Sequence, residues 1–166
     1  ATQVGRFPWK TVGAAELRDG SGQILWYALS GNFRKSSATV DTVINSDTQG
    51  TLTINNSAGN PIASNLVAVI IAPGVALNGQ DRSVNSVANY LESTNATGTG
   101  TFVTKTSPDT WNNFTDRLVV FNDTIVAVTQ ADLMAVVEPA VAARIERDLK
   151  PYLQTYMTEW RAFPIP

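Results

Sequence analysis

Apolar and polar positions along this chain change period several times, and each change marks an element. Residues 23–30 (QILWYALS) form an aromatic, apolar run and predict a strand. Just before them, Arg18-Asp19-Gly20-Ser21-Gly22 is a turn signal, because Asp bonds its own backbone and Gly takes positive φ freely. Residues 39–45 and 51–55 alternate polar with apolar side chains, the period of a half-exposed strand. Residues 56–61 (NSAGNP) predict a loop, and Ile62 starts the return. Residues 66–72 (LVAVIIA) are apolar throughout, which predicts a central strand buried on both faces and ended by Pro73-Gly74. Within the polar stretch 78–100, Val84, Val87, Ala88 and Leu91 have the spacing of a short helix, and 95–100 (NATGTG) reads as flexible.

Residues 117–121 and 124–129 read as a β-hairpin turning at Asn122-Asp123. Thr129 then caps a helix, with Asp132 in the reciprocal capping position. Leu133, Val137, Val141, Ile145, Leu149, Leu153 and Met157 recur every four residues, so the helix runs from Thr129 to about Arg161 with one slowly wrapping apolar stripe. Pro139 and Pro151 predict a kink or break, since an interior Pro removes a backbone donor. The fold expected is α+β, a mainly antiparallel β-sheet packed against one long C-terminal α-helix through its stripe, with Val141 in the interface. The whole chain, 1–166, reads as a single globular domain. Residues 1–22 are an extended lead-in, 23–129 a β-rich head with a long loop 78–115, and 130–162 the long helix, a candidate start of a further module.

Composition narrows the chemistry. The 166 residues contain no His and no Cys. A Ser-His-Asp triad, a thiol nucleophile and a Cys-based zinc site therefore cannot be built within the chain. Lys+Arg number 12 against 14 Asp+Glu, a net charge of −2, which argues against a nucleic-acid surface. Only 16% of residues are charged, while 19 Thr, 13 Asn and 11 Ser supply uncharged polarity, a surface common in extracellular β-rich proteins. Asn55, Asn95, Asn113 and Asn122 open glycosylation sequons, which arise by chance in a chain this rich in Asn and Thr. The longest apolar run has seven residues, far short of the roughly 20 of a membrane helix. No signal-peptide pattern opens the sequence.

Candidate sites are few. Asp109, Asp116, Asp123 and Asp132, with Asn112, Asn113 and Asn122, offer oxygen ligands for calcium, although turn and cap chemistry explains each singly. Asp41, Asp81, Glu92 and Asp116 are the carboxylates from which a glycosidase pair would be drawn. Lys35 with Ser36 or Ser37, and Lys105 with Ser107, are Ser–Lys neighbours. None makes a convincing catalytic set, so no catalytic, cofactor or metal residue is assigned and an enzyme is not expected. Trp9, Trp26, Tyr27, Trp111 and Trp160 are candidates for a binding platform. Trp111, in a polar loop beside Asn112 and Asn113, is the best placed for surface binding. Arg144, Arg147, Lys150 and Arg161 are interspersed with Glu146 and Asp148, as on a solvated helix face.

Longer segments carry a resemblance. Gly5-Arg6-Phe7-Pro8-Trp9-Lys10-Thr11-Val12-Gly13, then Glu16 to Gly22, then Leu25-Trp26-Tyr27-Ala28-Leu29-Ser30, resemble the segment after the N-terminal helix of type IV pilin-like and type II secretion pseudopilin-like proteins. Ala72-Pro73-Gly74, Asn89-Tyr90-Leu91-Glu92 and the stretch from Asn122 to Glu138 resemble prepilin-type proteins with larger heads. Such proteins begin with a hydrophobic helix after a prepilin cleavage site, and these 166 residues hold neither. The calcium loop of major pseudopilins is not recognisable, so that site is not carried over. Residues 156–164 (YMTEWRAFP) echo Arg6-Phe7-Pro8, as if a second, similar unit followed.

The resemblance implies a non-catalytic structural or assembly subunit of the bacterial cell envelope, periplasmic or on the extracellular surface. Its partners would be other pilin-like or secretion-system subunits, with a homo-oligomer compatible. Nucleic acid is not expected, and membrane attachment would come only through an upstream helix. No cofactor is expected, calcium being the one alternative. The competing function is a surface binding module or adhesin that recognises a glycan or protein through its Asn/Thr-rich loops.

Overall fold

The computed structural model describes residues 4–34, 44–105 and 121–161. The chain divides into two compact units, Ala1–Gln130 and Ala131–Pro166. The fold is α+β: antiparallel strands and one long C-terminal helix, with few other helices.

The first unit builds two sheets from strands β1 (Val4–Arg6), β2 (Trp26–Leu29), β3 (Leu52–Asn55), β4 (Pro61–Leu66), β5 (Ala68–Ala72), β6 (Thr101–Val103) and β7 (Thr124–Val128), with a short helix α1 (Ser93–Thr97). One sheet has the order β1-β2-β5-β7, antiparallel throughout. The other has the order β4-β3-β6, with β3 antiparallel to β4 and parallel to β6. Trp26, Ala28, Val69 and Ile71 of the first sheet meet Leu52, Ile54, Leu66 and Phe102 of the second in one core, closed by Tyr90 and Leu91. Alternate residues of β2, β3, β5 and β6 are buried, as the period of two requires. Each large core side chain contributes about 1.5–3 kcal/mol.

The uniform apolar run 66–72 is not one strand buried on both faces. Leu66 closes β4, and Asn65, with φ 56°, supplies the left-handed residue of the corner. β5 then runs in the other sheet, between β2 and β7. Val69 and Ile71 are buried, whereas Ala68, Ile70 and Ala72 are half-buried. The run stays apolar because the chain changes sheets around a shared core. Gly50 makes this corner possible: a Cβ there would lie 1.9 Å from the carbonyl oxygen of Leu66.

Other predicted elements hold with trimmed ends. β2, β3 and β7 fall inside 23–30, 51–55 and 124–129. The loop 56–60 is closed by Asn56, whose Oδ1 accepts the N–H groups of Ala58 (3.0 Å) and Asn60 (2.9 Å). The lead-in is not merely extended, since β1 pairs with β2 and Arg18 bridges to Ile24. Residues 95–100, expected to be flexible, belong to α1 and the approach to β6, and Asn95 is fully buried. Asn122-Asp123 is not an exposed turn, because Asp123 is fully buried. Most of the strand expected at 39–45, and the hairpin strand at 117–121 but for Phe121, lie outside the described residues.

In the second unit the helix comprises α2 (Gln130–Arg144), a π turn (Ile145–Leu149) and α3 (Lys150–Trp160). Pro139 sits inside α2. The ladder changes just before Pro151, where the N–H of Lys150 donates to Ile145 O in the wider π register. The cause is local: Pro151 has no N–H, and its ring crowds the carbonyl four residues back. Arg161, left-handed at φ 51°, ends the helix with its N–H on Met157 O at 2.9 Å. Along the stripe, Leu133, Leu153 and Met157 are half-buried. Val137, Val141, Ile145 and Leu149 are 37%, 51%, 49% and 48% exposed. A four-residue spacing overshoots the helical turn by about 40° per step, so no single face collects these side chains. No helix among the described residues is long and apolar enough to cross a membrane.

Candidate functional site

The polar interior of the first unit lies where α1, β6 and the start of β7 meet. Asp123, fully buried, precedes β7. Its Oδ2 accepts the backbone N–H of Glu92 at 3.1 Å and the Nδ2–H of Asn95 at 2.8 Å. Its carbonyl accepts the N–H of Lys105 at 2.8 Å. Asn95 also donates to Val103 O and accepts Val103 N–H, both at 2.8 Å. The Asn95 amide thus satisfies a β6 residue as a neighbouring strand would, and a buried backbone requires such a partner.

Glu92 completes the cluster. Its Oε1 accepts from Gln80 Nε2 at 2.7 Å, and its Oε2 accepts the N–H of Asn122 at 3.1 Å. Glu92 and the Asn122-Asp123 pair therefore exchange side-chain and backbone bonds, which sets the two carboxyl groups close enough to interact. Oδ1 of Asp123 is enclosed and has no donor. Burial pushes the Asp123 carboxyl up to about 8; the Asn95 bond opposes the rise and the Glu92 charge adds to it.

A second web adjoins the first. Tyr90, 7% exposed, carries the Arg82 guanidinium 4.6 Å from its ring centroid and that of Arg6 at 5.5 Å. Its hydroxyl donates to Arg82 O at 2.9 Å. Arg82 donates to Tyr90 O (3.3 Å), Val75 O (3.2 Å) and Gln80 Oε1 (2.9 Å). Gln80 thus joins Arg82 to Glu92, and the polar stretch 78–92 is ordered around half-buried charge rather than left loose. A cleft of about 470 Å³ opens nearby between Val4, Gly5, Tyr27, Val87 and residues 96–98. Its lining includes Thr97 and Tyr27 but no acidic or basic residue.

The residues singled out in the sequence scatter. Trp111, Asn112 and Asn113 lie outside the described residues, as do Asp41, Asp109, Asp116, Lys35, Ser36, Ser37 and Ser107. Asn122 and Asp123 join the buried cluster, while Asp132 stands in the first turn of α2. Among the described residues no group of three or more acidic side chains converges on a metal position. Asp81 is exposed and accepts from Ser83 N–H (2.9 Å) and Oγ–H (2.6 Å), bonds that lower its carboxyl. Trp26 is core, and Trp160 is exposed and stacked on Tyr156. The sequon at Asn95 is sealed inside the fold. The pairing of Glu92 with Asp123 spans 31 residues and has no sequence signature.

Closed to solvent, Asp123 cannot meet a substrate; the pair can hold a proton and fasten backbone. Protein-family models, curated proteins and solved structures yield no match to this chain.

Proposed function

We propose that this chain is the soluble part of a pilin-like or pseudopilin-like envelope protein, a non-catalytic assembly subunit that works through protein–protein contacts. The observation that carries the reading is the helix from Gln130 to Trp160, which keeps large apolar side chains in solvent. Val136 is 71% exposed, Tyr152 75% and Trp160 67%. Apolar surface of this kind marks protein contact sites. The sequence resemblance points the same way, and the buried Asp123 carboxyl fastens backbone rather than facing solvent. The partners proposed are other pilin-like or secretion-system subunits at the bacterial cell envelope.

The test is the mature N-terminus of the native protein, read by intact mass and terminal sequencing from its source cells. The reading expects a processed apolar helix of about 20 residues upstream of this region. A mature protein preceded only by a conventional signal peptide overturns it.

A further inference from the structure

We infer that Glu92 and Asp123 form a carboxyl–carboxylate latch that holds one proton between them, fastens α1 and β6 to the start of β7, and weakens steadily as the solution moves from acid to mildly alkaline. Both N–H donors to the Asp123 side chain fall on Oδ2. That leaves Oδ1, buried and without a donor, as the oxygen that carries hydrogen. A protonated Oδ1 donates toward the Glu92 carboxylate, which satisfies both groups. A deprotonated one is a buried anion facing a second anion, and both desolvation and like charge disfavour it.

Among the described residues, each donor bonded to the two carboxyl groups is neutral. From α1 comes Asn95, a neutral amide, and from the segment before β7 the backbone of Asn122. The β6 side supplies the backbone N–H of Lys105. The nearby cation Arg82 reaches Glu92 through neutral Gln80. When the latch opens, Asn95 loses its bond to Asp123, and its two bonds to Val103 are no longer held in register.

The sign follows from linkage. Asp123 ionises at its ordinary value, 3.8, when the latch is open, and at about 8 when closed. Between those limits the closed form binds the extra proton, so each pH unit weakens it about tenfold, with the loss complete above about 8. The chain has no His and no Cys, so no other side chain ordinarily titrates between pH 5.5 and 8.

The experiment is hydrogen exchange at the Val103 amide of the 166-residue chain, corrected for intrinsic rate, from pH 5.5 to 8, in EDTA and in millimolar calcium. The wild type should lose protection about tenfold per pH unit. Asp123→Asn should hold protection level, since its amide donates to Glu92 as the acid does. If that variant does not fold, Glu92→Gln serves: without the facing anion the loss should end at a lower pH. Protection equal at pH 5.5 and 8 in the wild type, or falling as steeply in Asp123→Asn, overturns the proposal. So does protection restored by calcium and removed by EDTA, which would put a divalent cation where the proton is placed.

Discussion

The N–H of Gly74 donates to Oδ2 of Asp19 at 2.8 Å, tying together two turns 55 residues apart. Oδ1 of the same carboxylate accepts the N–H groups of Ser21 and Gln23, each at 2.8 Å. One side chain thus shapes its own turn and anchors the lead-in to the end of β5. Asp19→Ala leaves all three donors without that acceptor. The expected cost is about 2–3 kcal/mol, discounted for partial exposure, and urea unfolding at pH 7 measures it.

Gly50 tests the corner between the sheets. Its missing Cβ would sit 1.9 Å from a backbone oxygen, which cannot swing away as a flexible side-chain end can. Gly50→Ala should cost about 3 kcal/mol or more. Gly59, at φ +83° with open space around it, is the control. Gly59→Ala there should cost about 1 kcal/mol. Equal melting temperatures for the two variants would contradict the corner geometry.

Val141 separates stripe from core. At 51% exposure, Val141→Asp should change stability by no more than about 1 kcal/mol. Phe102, fully buried, should cost about 3–5 kcal/mol on Phe102→Ala. Thermal melts of both variants decide it, and a collapse on Val141→Asp would restore the buried-interface expectation drawn from the sequence.

Asn95 is the amide that stands in for a strand. Asn95→Ala removes two part-buried bonds to Val103 and one buried bond to Asp123. Three groups, one buried and two half-buried, lose a partner together, and a loss of about 3 kcal/mol is expected. Exchange at Val103 should rise in this variant even at pH 5.5, which distinguishes loss of the amide from loss of the proton.

What the sequence determined by itself is what acts over a few residues. The alternation in 51–55, the Asx bonds of Asp19 and Asn56, and the effect of Pro151 on the helix ladder depend on neighbours two to five positions away. The absence of His and Cys likewise limited the chemistry before any fold was drawn. Tertiary structure decided the rest. It split 66–72 between two sheets, set β6 parallel to β3, sealed Asp123 against Glu92 and left Val141, Ile145 and Leu149 of the helix stripe about half exposed. An apolar pattern states that a side chain wants cover but not which surface provides it. A carboxyl's protonation depends on whatever the fold packs against it, here a residue 31 positions away.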